Sequence, residues 1–115
     1  MPKKKLDPLP SAAFQILLSL TDEELHGYGI MRQVEEQSGG RMRLGPGTLY
    51  SSIQSLVEEK MIEETDANAD GKLGSERRRY YRLTAAGERA CAAEVKRLET
   101  LLRHARKSRR NLRHA

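Results

Sequence analysis

Three polar side chains that can hydrogen-bond to base edges follow one another along a short stretch, at Thr48, Ser51 and Gln54. Their spacing of three residues places them on one face if the stretch is helical. Glutamine can pair with adenine through two hydrogen bonds, whereas the hydroxyls of Thr and Ser donate or accept one, and Thr adds a methyl for thymine. These residue types in this spacing suit contact with the grooves of double-stranded DNA.

The element that must position these side chains is predicted as a helix that begins at Pro46. Proline fits the first helical turn because its missing N–H would have no partner there. Opposite the polar face, Leu49, Ile53 and Leu56 recur at helical spacing, with Val57 beside them, and form one apolar stripe. Acidic residues follow and would be repelled by phosphates, so only the first two turns are expected to enter a groove. The polar face by itself also fits an ordinary surface helix.

The segments after this helix favour the DNA-binding alternative. Residues 61–65 alternate like a short strand, and a basic second strand, residues 77–83, follows a loop that contains Gly71 and Gly74. A helix, a strand, a glycine-containing tip and a basic strand in this order describe a recognition helix followed by a wing. Tyr81 and Leu83 share one strand face and are assigned to the core. The arginines expected to lie along the phosphate backbone or in the minor groove are Arg77, Arg78 and Arg79.

Two further helices are predicted before the recognition helix. The first begins at about Pro8 or Pro10 and ends at Leu20, and the second covers residues 27–37. Residues 41–44 alternate basic and apolar, so we predict a short strand there that pairs with the wing strands into a three-stranded sheet.

Two tyrosines flank the predicted base contacts. Tyr50 lies beside the buried stripe of the recognition helix, so we expect it to be half packed, with its hydroxyl reaching a phosphate. Tyr28 lies in the first turn of the second helix, where a core position and a phosphate contact are equally compatible with the sequence. The N-terminus of each helix adds a partial positive charge that favours an anion.

The net charge of the chain also favours binding to nucleic acid. The 115 residues carry a formal net charge of +5 and a pI near 9.6, which favour a polyanionic partner. Basic residues cluster at Lys3–Lys5, at Arg77–Arg79 and from Arg97 onward, although such runs can also be solvated tails. Cys91 is the single cysteine, which excludes an intrachain disulfide and fits a reducing compartment. We therefore expect a cytoplasmic protein, and the apolar run of residues 12–20 is too short to cross a membrane.

A long C-terminal helix is predicted from Ala85 to about Arg106, with the hydroxyl of Thr84 as its N-cap. One apolar seam along it recurs at alternating intervals of four and three residues, as in a coiled coil. The seam residues are Cys91, Val95, Leu98, Leu102 and Ala105. A seam this long exceeds what a small winged domain can cover, so pairing with a second copy is favoured over packing against its own domain.

The residues that commonly carry out catalysis or bind metals are isolated in this sequence. His26, His104 and His114 stand alone, and Cys91 has no histidine at helical spacing. The sequence has no carboxylate pair, glycine-rich phosphate loop or cluster of metal ligands. We therefore expect neither an enzyme nor a cofactor.

Three motifs resemble those of the PadR family of bacterial transcriptional regulators. Residues 25–30, LHGYGI, are similar to the family's LHGY motif, and residues 45–50, GPGTLY, to its PGTLY entry to the recognition helix. Residues 78–87, RRYYRLTAAG, resemble its RRYYRLTxxG junction between the wing and the last helix. The resemblance, to the short branch of the family, implies a homodimeric winged-helix repressor that a small hydrophobic effector often releases from its operator. Ser51 stands where many members have proline, and the chain lacks the tryptophan on which short members stack flat drugs.

The expected architecture is mainly α with a small β-wing, in which a winged helix-turn-helix domain carries a long C-terminal dimerisation helix. We expect a basic N-terminal arm at 1–7, the DNA-binding domain at 8–83, the dimerisation helix at 84–107 and a basic tail at 108–115. The expected partners are a second copy of the chain and double-stranded DNA with a palindromic operator, and no membrane. The alternative is a winged-helix module that binds protein or RNA without operator specificity.

Overall fold

The computed structural model describes residues 9–65 and 79–108. These residues form a mainly helical structure with a small antiparallel sheet, as predicted. The elements in chain order are α1 (Ser11–Ser19), β1 (Leu25–His26), α2 (Gly27–Gln37), α3 (Pro46–Glu58), β2 (Ile62–Thr65), β3 (Tyr80–Leu83) and α4 (Ala85–Lys107). Several predicted features lie outside the described residues. They are the basic arm, the glycine-containing wing tip, Arg77, Arg78 and residues 109–115 of the tail.

The core lies where α1, α2 and α3 turn their apolar stripes toward one another. Each stripe has the spacing of three and four residues that places side chains on one helical face. The most deeply buried side chains of these helices are Ile16, Leu17, Ile30, Val34, Leu49 and Leu56. The predicted bounds of α2 are confirmed, and α1 begins directly after Pro10, in agreement with the later of its two predicted starts.

Val57 departs from the predicted stripe of α3, because 39 % of its surface is exposed. Successive residues of a helix are turned by about 100° around its axis. Val57 therefore lies on the flank of a stripe centred on Leu49, Ile53 and Leu56. Among the side chains of α3, only those three are buried in the core.

The sheet has three strands, as predicted, but its third strand is a different segment. β3 lies in the centre, with β2 on one side and β1 on the other, so that Leu25 pairs with Tyr81. The prediction of a strand at residues 41–44 is wrong. The N–H of Arg41 and the N–H of Met42 are already bonded to the carbonyl oxygen and Oγ of Ser38, over 3.2 and 2.9 Å, so the segment continues the turn that ends α2.

The start of α4 is fastened to the junction between α3 and β2. The Thr84 hydroxyl accepts a hydrogen bond from the Gly87 N–H over 3.0 Å, which confirms the predicted cap, and donates to the carbonyl of Lys60 over 2.7 Å. The N–H of Thr84 bonds to the carbonyl of Met61 over 3.0 Å. A Cβ at Gly87 would overlap that carbonyl oxygen, so only glycine allows the two backbones to approach this closely.

Candidate nucleic-acid interface

The first turns of α3 present the predicted base-reading side chains to solvent. Thr48, Ser51 and Gln54 are all exposed, whereas Leu49 and Ile53 on the other side of the helix are buried. The burial of the opposite stripe fixes the rotation of the helix about its axis, so the polar side chains cannot turn inward. The polar face of α3 is therefore exposed as predicted, and its contact with base edges stays a prediction.

Gln54 already makes a hydrogen bond within α3. Its Nε2 donates to Oε2 of Glu58 over 3.3 Å, and both side chains are exposed. Such an exposed bond contributes little net free energy because water competes for both groups. A base edge that bonds the Gln54 amide would therefore displace a weak contact.

Tyr50 joins the N-terminal ends of α2 and α3. An ideal Cβ at Gly27 would lie 2.5 Å from the Tyr50 hydroxyl oxygen and 3.1 Å from its Cζ, so the phenol packs over a residue without a side chain. The side chain remains 53 % exposed. The prediction that Tyr50 is half packed is confirmed, and the predicted phosphate contact stays a prediction.

The N-terminus of α2 is capped by a histidine, a role that sequence reasoning missed. Nδ1 of His26 accepts a hydrogen bond from the Gly29 N–H over 2.9 Å, and its ring meets the Tyr80 ring edge-on at 5.2 Å between centroids. The signal was its position directly before the helix, where an acceptor side chain is favoured. Tyr28 is 59 % exposed, which excludes the core alternative, and the Arg32 guanidinium carbon lies 5.8 Å from the centre of its ring.

Arg79 is the one predicted wing arginine in the described residues, and it lies beside a carboxylate. Its Nε is 3.4 Å from Oε2 of Glu64. Burial raises the pKa of Tyr81, which is 5 % exposed and confirmed as a core residue, and the Glu64 carboxylate raises it further. Arg82 in turn pairs with Glu63 over 2.7 Å.

A second candidate surface is a row of exposed apolar side chains on the C-terminal half of α4, which we name the α4 stripe. The stripe consists of Val95, Leu98, Leu101 and Leu102, which are 36 %, 39 %, 52 % and 51 % exposed. Ala105, the last residue of the predicted seam, is half-buried, and Leu101 was not predicted. Cys91 is a correction to the predicted seam: it is 5 % exposed and packs in the core of its own chain, because the beginning of α4 lies against α1.

The described part of the chain offers neither a metal site nor a helix that could cross a membrane. Residues 9–65 and 79–108 hold no group of three or more His, Cys, Asp or Glu side chains that could bind a metal ion. Over the same ranges, every helix is too short or too polar to cross a membrane. The expectation that the protein uses no cofactor stays a prediction.

The transcriptional regulator PadR-like family matches residues 16–93 of the chain. The transcriptional regulator Rv3488 of Mycobacterium tuberculosis is 31 % identical over 88 residues, which are 76 % of this chain and 76 % of that protein. An uncharacterized 37.1 kDa protein in transposon TN4556 of Streptomyces fradiae is 32 % identical over 84 residues, which are 73 % of this chain but 22 % of that protein. The chain thus spans less than a quarter of the length of this second relative.

Two solved structures share the fold. A PadR family transcription regulator from hypervirulent Clostridium difficile has a TM-score of 0.71 at 21 % identity, over 85 % of this chain and 97 % of that one. Bacillus subtilis PadR in complex with operator DNA has a TM-score of 0.62 at 23 % identity, over 76 % of this chain and 48 % of that one. Both likenesses confirm the predicted winged helix-turn-helix fold. From the family match and this fold, the chain belongs to the PadR-like family of transcriptional regulators.

Proposed function

We propose that this regulator binds an operator in double-stranded DNA as a homodimer and represses transcription there. The observation that carries the proposal is the two-sided character of α3. Its first turns expose Thr48, Ser51 and Gln54, while the opposite stripe is buried in the core. Bacillus subtilis PadR, which has the same fold, is known in complex with operator DNA, and this supports the same partner for this chain.

In this proposal α3 enters the major groove with its N-terminal end. Thr48, Ser51 and Gln54 contact base edges, which supply the discrimination between sequences. Tyr28 and Tyr50 contact phosphates beside the N-termini of α2 and α3, where the helix dipoles favour an anion. The contacts proposed for the wing, along the phosphate backbone, are those of Arg77, Arg78 and Arg79.

The α4 stripe is the proposed dimer interface. Its four side chains are exposed in the single chain, and burying one leucine contributes about 1.5–3 kcal/mol. Two copies of the stripe could therefore offset the free energy that association costs. A dimer would place two recognition helices about one turn of DNA apart, on a palindromic site.

The test is a selection of genomic DNA fragments with the purified protein, followed by footprinting of the enriched fragments. We expect a short palindromic sequence to be enriched and protected, and a variant with Thr48, Ser51 and Gln54 all changed to Ala to enrich none. A selection without any enriched sequence, together with equal binding to RNA, would contradict the proposal and favour the interaction-module alternative. The small hydrophobic effector and the cytoplasmic location stay predictions.

A further inference from the structure

An ion pair between β2 and the residue just before β3 contributes little to the stability of the fold, so we ask what else it does. Arg79 and Glu64 lie 3.4 Å apart, with side chains 74 % and 50 % exposed. An ion pair this exposed contributes little to stability because solvent screens both charges. Its position in the sheet indicates a role in binding.

The sheet register puts Glu64 on the face that is turned toward α3. Glu64 pairs with Tyr81 across the strands, and Tyr81 is buried in the core. β2, the strand that carries Glu64, packs against α3. The pair of Glu64 and Arg79 therefore lies at the sheet that packs against the recognition helix.

The neighbouring acid, Glu63, lies on the other face of the same strand. Alternation along β2 turns it away from Tyr81, and it pairs with Arg82 over 2.7 Å. Arg82 is also 3.8 Å from Glu24. Glu64 and Glu63 thus form the same kind of pair, with Arg79 just before β3 and with Arg82 within it, but only the Glu64 pair involves the sheet face that carries the buried Tyr81.

We propose that Glu64 is an internal competitor for Arg79: in the free protein its carboxylate holds the guanidinium that a DNA phosphate would otherwise bind. This inference rests on the proposed DNA binding. When Arg79 moves to a phosphate, Glu64 loses its partner and takes up a cation from solution. Glu64 therefore lowers the affinity for DNA of any sequence. The base contacts of α3 then supply a larger share of the binding free energy.

The competition has a consequence for the salt dependence of binding. A phosphate neutralised by an arginine releases about 0.9 of a condensed cation. Uptake of a cation by the abandoned Glu64 carboxylate cancels part of that release. Removing the carboxylate charge should therefore tighten binding and make the plot of log affinity against log salt steeper by up to about 0.9.

The experiment measures binding of Glu64→Gln to a mixed-sequence DNA duplex at several salt concentrations, with Glu63→Gln as the matched control. We expect Glu64→Gln to bind about two- to fivefold tighter at low salt, the range for an exposed ion pair, and to show the steeper slope. Glu63→Gln should match the unmutated protein. In an Arg79→Ala background, Glu64→Gln should change neither quantity.

Three results would overturn the inference: unchanged binding by Glu64→Gln, an equal gain from Glu63→Gln, or an equal gain in the Arg79→Ala background. The last two would indicate general repulsion between acids and phosphates. If the unmutated protein does not bind the duplex, the proposed function fails and the inference with it. If it binds normally and Glu64→Gln does not respond, the inference alone fails.

Discussion

The hydroxyl of Tyr50 lies against Gly27, so that the N-terminal ends of α2 and α3 meet at a residue without a side chain. A Cβ at Gly27 would come within 2.5 Å of the Tyr50 oxygen. The contact links the helix that carries Tyr28 to the helix that carries the reading face. The position of Tyr50 therefore depends on the side chain at residue 27.

Gly27→Ala should move the Tyr50 ring away from α2. Because the phenol is half exposed and can swing into solvent, we expect a change below about 1 kcal/mol in the free energy of unfolding. DNA affinity should fall, since the hydroxyl leaves its place. Gly29→Ala is the control, because its Cβ would meet other atoms only at ordinary contact distances of 3.4 Å. Equal DNA affinities for the two variants would count against a phosphate contact by Tyr50.

Gly87→Ala should destabilise the fold by about 1–3 kcal/mol or more, as overpacking does in a rigid site. The new methyl group would overlap the Met61 carbonyl, and a backbone carbonyl cannot swing aside as a side chain can. Denaturant unfolding measures the loss. Gly47→Ala makes the same chemical change in α3 where the structure leaves open space, and it should leave stability unchanged or slightly raised.

Lys60→Gly should stabilise the protein by about 0.5–1 kcal/mol. Lys60 has a φ of 63°, a left-handed conformation that costs residues with a Cβ about 1–2 kcal/mol. It is held there because the N–H groups of Lys60 and Met61 bond to the carbonyls of Val57 and Leu56, each over 2.9 Å, and close the end of α3. The midpoint of denaturant unfolding should rise. Glu59→Gly, at a φ of −85°, should instead lower it.

Leu98→Lys should produce a monomer that has lost tight operator binding. The substitution places a charge in the middle of the α4 stripe, where burial against a second chain would leave it without compensation. Sedimentation gives the oligomeric state, and circular dichroism checks that the winged domain is folded. Thr100→Lys adds the same charge at an exposed position off the stripe and should stay dimeric. A Leu98→Lys protein that remains dimeric and binds normally would contradict the proposed interface.

Long periodic elements were predictable from the sequence, and short or locally determined ones were not. The bounds of α2 and the start of α3 at Pro46 followed from apolar spacing and from proline chemistry. β1 has two residues, too few to show a period, whereas the alternation of residues 41–44 predicts a strand that does not form. Their alternation comes instead from packing Leu44 and Met42 against the core.

In the candidate site, too, the periodic features were predictable and the locally determined ones were not. The exposure of Thr48, Ser51 and Gln54 followed from helical periodicity. The cap by His26 and the pairing of Arg79 with Glu64 depend on how β1, β2 and β3 are aligned, which no spacing along the chain encodes. The apolar seam of α4 is continuous from Cys91 onward, so nothing in it marks where the helix leaves its own domain.

The most direct test of the central claim, that α3 reads base edges, is the affinity of Gln54→Ala and Ser51→Ala for every single-base variant of the selected operator. Each substitution should erase the preference at one base-pair position, and the loss should be about 1–3 kcal/mol for the two-bond contact of Gln54. Affinity for mixed-sequence DNA should stay nearly unchanged. Variants that keep the full sequence preference of the unmutated protein would contradict the account.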